Sequence, residues 1–96
     1  MSEAESRPVA VVIGVGPGVG ASLARRFAAK YAVAINARKT DYLRTLASDI
    51  RGHGGEVLEV QADIGKATEV WNAFPQIRAE LGEPQVLLFN AAGPAR

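Results

Sequence analysis

Val9-Ala10-Val11-Val12-Ile13-Gly14-Val15-Gly16-Pro17-Gly18-Val19-Gly20 is the stretch on which the fold turns. Its first five residues are apolar without a break and mostly β-branched. A strand with one wet face would alternate; an unbroken run reads as a strand buried on both faces, the mark of a parallel sheet. Glycines then crowd the next seven positions. Beyond them Val19, Leu23 and Phe27 recur at helical spacing, with Ala24 and Ala28 beside them. The reading is strand, glycine turn, helix.

That turn has a chemical meaning. A phosphate needs exposed backbone N–H donors and room to approach them. Glycine supplies the room because it has no Cβ, and it tolerates positive φ. The following helix N-terminus adds unpaired donors and a favourable dipole. A glycine turn directly between a buried strand and a helix is therefore a pyrophosphate cradle by mechanism. The competing reading, an ordinary α/β turn that binds nothing, is disfavoured by that context. G-x-G-x-x-G does not start at Gly14, because Val19 falls where the third glycine should stand, whereas G-x-x-x-G-x-G fits as Gly14, Gly18 and Gly20. No Gly-Lys-Ser/Thr follows, which excludes a Walker A loop. Gly14, Gly16, Gly18, Val19 and Gly20 are the candidate contacts.

The pattern repeats outward from this start. Ala32-Val33-Ala34-Ile35 reads as a second strand. Thr40 or Asp41 is placed to cap a second helix, whose buried stripe is Leu43, Leu46, Ala47 and Ile50 and which ends at Gly52, Gly54 and Gly55. Val57 to Val60 forms a third strand. A third helix is expected from about Lys66 to Leu81, with Val70, Phe74, Ile77 and Leu81 on one face. Pro75 inside it should kink it or split it in two. Gly82-Glu83-Pro84 is a stop signal, and Val86 to Phe89 is a fourth strand ending at Asn90. The order β-α-β-α-β-α-β implies a parallel sheet covered on both faces. The first two helices should cover one face, and the third begins the other.

Composition narrows the function classes. Hydrophobic residues make up 48% and charged residues 22%, the balance of a globular domain. Eleven basic against ten acidic residues give a net charge of +1, with no block of like charge to suggest nucleic acid or an anionic membrane. There is no cysteine, so no disulfide framework or thiolate site exists. Residues 1–8 read as a flexible N-terminal tail without the apolar core of a secretory signal. No run approaches transmembrane length. The expectation is a soluble, cytoplasmic protein with residues 9–96 as one partial nucleotide-binding domain.

Four features at the ends of successive strands together resemble the short-chain dehydrogenase/reductase family: Gly14-x-x-x-Gly18-x-Gly20, Asn36-Ala37-Arg38-Lys39, Ala62-Asp63-Ile64 and Asn90-Ala91-Ala92-Gly93. The likeness spans residues 9–93. It implies a Rossmann-type α/β fold, truncated after strand four, that binds NAD(H) or NADP(H) at the carboxyl ends of its strands. Gly14, Gly18 and Gly20 would line the pyrophosphate. Asp63 would accept a hydrogen bond from the adenine amino group, with Ile64 adding backbone contact. Asn90, Ala91, Ala92 and Gly93 would wall the adenosine ribose. An NAD enzyme usually carries an acidic residue at the end of its second strand; here Ala37 stands there and Arg38 follows. A guanidinium clasps a 2′-phosphate bidentately, and Lys39 adds charge, so NADP(H) is favoured, with NAD(H) the alternative. The sequence departs from the family at Ile13, where threonine is common, and at Pro17, which removes a donor.

The family's reaction needs a tyrosine, a lysine four residues after it, and a serine. Tyr31 and Tyr42 are the only tyrosines, and Ile35 and Leu46 stand four residues after them. No catalytic residue and no metal constellation is expected, and the chain alone should be inactive. His53 reads as an exposed turn residue, Trp71 as a packing residue, and Asp49, Glu56, Glu59, Glu69 and Glu80 as solvated faces. Ending after strand four leaves an open sheet edge, which implies poor solubility or association with a second copy or a homologous chain. Three readings stand at this point. One is the cofactor-binding part of a reductase, another a non-catalytic module that pairs with a partner, and the third a different Rossmann class.

Overall fold

Every residue of Val9–Ile13 is buried, and so is every residue of Ala32–Ala37. A computed structural model of the chain describes residues 7–14, 19–37, 40–62 and 66–89. Within them run β1 (Val9–Ile13), α1 (Val19–Ala28), β2 (Ala32–Ala37), α2 (Thr40–Gly52), β3 (Val57–Gln61), α3 (Ala67–Glu80) and β4 (Pro84–Phe89). The strands form one parallel sheet in the order β3-β2-β1-β4. This is a Rossmann-like α/β fold, as the continuous apolar runs require.

The two faces of the sheet hold separate cores. Ala10, Val12, Val33 and Ile35 meet α1 through Ala21, Ala24 and Ala28, and α2 through Leu43, Leu46, Ala47 and Ile50. On the other face Val9, Val11, Ile13, Ala32 and Ala34 meet α3 through Ala73 and Ile77. The α2 stripe agrees residue for residue with the sequence reading. In α1 the buried stripe is Ala21, Ala24 and Ala28, while Leu23 and Phe27 are only half-buried. Small side chains let the helix lie close on the sheet, and the larger ones flank the contact.

Several boundaries differ from expectation. β2 runs two residues past Ile35, because Asn36 and Ala37 stay paired with Val60 and Gln61 of β3. β4 begins at Pro84, so that residue opens the strand rather than only ending the helix; a first position needs no ladder donor. Pro75 does not split α3, which continues through it as one helix. Pro75 and Trp71 are both exposed, so water can take the carbonyl that Pro75 leaves without a donor. Trp71, expected to pack, is 70% exposed, with its ring 6.0 Å from that of Phe74.

The chain is already anchored before β1. Arg7 donates from its guanidinium to the carbonyls of Ala28 and Gly54, at 3.2 and 3.3 Å, and the Pro8 carbonyl accepts from the Ala32 N–H. Both residues belong to the stretch read as a tail. At the end of α2, Gly54 has φ +85, and a Cβ on Gly55 would stand 2.5 Å from Ile50 Cγ2. The torsion at Gly54 favours glycine, and a side chain at 55 would force Ile50 to shift. Tyr31 packs on Phe27 with ring centroids 5.2 Å apart, and His53 is exposed in its turn. Asp49, Glu59 and Glu69 pair with Arg25, Arg51 and Lys66 at the surface.

Candidate functional site at the carboxyl ends of the strands

Parallel pairing brings the carboxyl ends of all four strands to one edge of the sheet. Ile13 is in register with Phe89, and Ala37 with Gln61. The four sequence motifs follow those ends: residues 15–18 after Gly14, Arg38 and Lys39 after Ala37, Asp63 and Ile64 after Ala62, and Asn90 to Gly93 after Phe89. In an open α/β sheet this edge is where ligands bind.

Of the expected cofactor residues, the structure describes Gly14, Gly20 and the backbone of Val19. Gly14 has φ +82, a conformation that strains any side-chain-bearing residue, so the chain leaves β1 through a glycine-only turn. Its N–H is shared between the main-chain oxygen and Oδ1 of Asn36, both at 3.1 Å. Gly14 therefore shapes the turn with its torsion, and that N–H points inward. Val19 opens α1, and Gly20 is buried in its first turn. Gly16, Gly18, Arg38, Lys39, Asp63, Ile64, Asn90, Ala91, Ala92 and Gly93 lie outside the described residues, as does Pro17.

The residue that sequence reasoning quoted but gave no role is Asn36. It is the buried polar residue of the core, 2% exposed. Its amide nitrogen donates to the carbonyls of Val60 and Ala62 at 3.2 and 3.1 Å, while Oδ1 accepts from Gly14. The signal was present: one amide inside the apolar run Ala32–Ala37 must find partners when buried. No described buried side-chain polar atom lacks a partner. Among the described residues no group of three or more His, Cys, Asp or Glu could hold a metal, and no helix is long and apolar enough to cross a membrane.

A family model described as short chain dehydrogenase matches residues 8–96. The chain belongs to the short-chain dehydrogenase family. An uncharacterised oxidoreductase of Caenorhabditis elegans is 42% identical over 88 residues, which is 88% of this chain and 28% of that protein. Among solved structures, an actinorhodin polyketide ketoreductase with NADPH superposes with a TM-score of 0.83 at 28% identity, over 88% of this chain and 33% of the other. The L-sorbose reductase of Gluconobacter frateurii, solved with NADPH and L-sorbose, gives 0.79 at 30% identity, over 85% and 32%. This short-chain dehydrogenase chain thus spans about a third of the length of the family members it matches.

Proposed function

We infer that this chain binds a nicotinamide dinucleotide along the carboxyl edge of its sheet, as the N-terminal, cofactor-binding part of a short-chain reductase, and that it prefers NADP(H) to NAD(H). The observation that carries the reading is the first β–α connection: a positive-φ glycine at the exit of β1 and a buried glycine in the first turn of α1. Such a connection opens backbone to a pyrophosphate at the helix N-terminus. The NADPH bound to the ketoreductase and to the sorbose reductase supports the same cofactor class.

Each expected residue has a separate task. Gly14, Gly16, Gly18, Val19 and Gly20 form the turn around the pyrophosphate. Arg38 clasps the 2′-phosphate, and Lys39 adds to the positive potential. Asp63 accepts from the adenine amino group, and Ile64 contributes a backbone contact. Asn90, Ala91, Ala92 and Gly93 wall the ribose. When bound, the nicotinamide supplies or accepts a hydride at a carbonyl or alcohol carbon. The chain's own residues bind and orient: Tyr31 packs on Phe27, and neither Tyr31 nor Tyr42 has a lysine four residues on. The chain by itself is expected to turn nothing over.

A side-by-side titration with NADPH and NADH, followed by reduced-nicotinamide fluorescence, tests this. Saturable binding that favours NADPH is expected. Arg38→Glu should weaken NADPH by about tenfold or more and leave NADH within about threefold. Equal weakening of both would defeat the assignment of Arg38. Absence of binding to either would defeat the cofactor reading for this chain.

A second reading rests on the exposed apolar patch of Trp71, Leu87 and Phe89. In it the chain is a non-catalytic module that pairs with a second copy or a homologous chain along β4. Concentration-independent monomers in analytical ultracentrifugation would rule this out.

A further inference from the structure

We propose that Asn36 is a positioning residue for the cofactor: one amide that fixes the exits of β1 and β3 relative to each other. The proposal rests on the dinucleotide reading above and deepens it. Its ground is the completeness of the bonding. An asparagine amide has two donors and an acceptor. Here both donors go to carbonyls, of Val60 and Ala62, and the oxygen takes the Gly14 N–H. The orientation of the amide follows, because the reverse would face the NH₂ with an N–H and the oxygen with two carbonyls.

The partners lie at decisive places. Gly14 is the last described residue before the glycine turn, and it holds φ +82. Ala62 is one residue past β3, its N–H still bonded to the Ala37 carbonyl at 3.3 Å, and Asp63 follows it. Asn36 is on β2, between the two strands it ties. Its main-chain oxygen takes the same Gly14 N–H, so residue 36 grips the β1 exit twice. Asn36 is buried, and so are Ala34, Val60, Ile77 and Ala73 around it. Hydrogen bonds in such surroundings are stiff and costly to leave unmade.

No other side chain of that size does the same. Aspartate keeps the acceptor and loses both donors. Threonine offers one donor. Leucine offers nothing. Glutamine is a methylene too long for a packed strand. Cofactor recognition by backbone groups depends on their placement to a fraction of an ångström, so a brace between the pyrophosphate turn and the adenine-side residue sets affinity without touching the cofactor.

The test is a double-mutant cycle on NADPH binding with the full chain: wild type, Asn36→Leu, Asp63→Ala and the pair. Asn36→Leu is expected to weaken NADPH by about tenfold. If Asn36 acts through the placement of Asp63, adding Asn36→Leu to Asp63→Ala should cost less than about threefold more, a non-additivity that general loss of stability does not produce. Amide exchange at Gly14 should accelerate in Asn36→Leu by more than at Val11. If Asn36→Leu does not fold, Asn36→Thr takes its place and should lie between it and wild type in both readouts. Wild-type binding with an unaffected variant, or losses that multiply, would overturn the role of Asn36 alone. Absence of wild-type binding would overturn the cofactor reading, and this role with it.

Discussion

The two faces of the sheet are built from the same strands and come out differently. On the face of α1 and α2, alternate residues of β1 and β2 meet two helices, and even the edge strand β4 sends Val86 and Leu88 into the same core. On the face of α3, one helix covers β1, β2 and β3, while the β4 residues Gln85, Leu87 and Phe89 stand exposed. A groove of about 500 Å³ lies there between Trp71, Phe74, Leu87 and Phe89. Burial of apolar surface contributes about 25 cal/mol per Å² removed from water, so the stability of the chain resides mainly on the first face. The second face carries apolar surface in search of a cover.

The comparison breaks most directly by truncating one leucine on each side. Leu46→Ala, within the α1–α2 core, should cost about 3 kcal/mol in urea unfolding. Leu87→Ala, 53% exposed, should cost under about 1 kcal/mol. Equal losses would mean that the second face is as well packed as the first. At the end of α2, Gly55→Ala should cost about 2 kcal/mol, because its Cβ meets Ile50 and Ala28. Gly52→Ala, with nothing within 4 Å, should gain about 0.5 kcal/mol. Arg7→Ala should cost about 1 kcal/mol in the same assay, through the Ala28 and Gly54 carbonyls. The smallest effect on stability, within about 0.5 kcal/mol, is expected for Trp71→Ser combined with Phe89→Ser, yet light scattering should fall. Unchanged scattering would mean that this patch drives no association.

How far the sequence could be read follows the same division. Val9–Ile13 and the α2 stripe were legible because burial on both faces, or along one stripe, writes a pattern that needs no knowledge of the partner. Trp71 was misread because local periodicity does not encode how much of α3 the sheet covers. Asn36 looked like the end of a strand, since polar residues usually stop an apolar run. Its amide is satisfied inside the sheet, so β2 continues. Pro75 looked like a break, but its exposed position makes the lost hydrogen bond cheap. In the candidate site, the glycine turn was read from mechanism, and Gly14 takes φ +82 at its start. The brace behind it was missed, because pairing between residues 14, 36 and 62 is a property of the sheet and not of any one segment.

The most direct test of the dinucleotide site is a titration of the isotopically labelled chain with NADPH, read through its backbone amides. Shifts are expected to concentrate at residues 14–20, 36–39, 62–64 and 90–93, at the carboxyl ends of the four strands. Shifts concentrated instead around Trp71, Leu87 and Phe89 would place the ligand on the uncovered face and contradict this expectation.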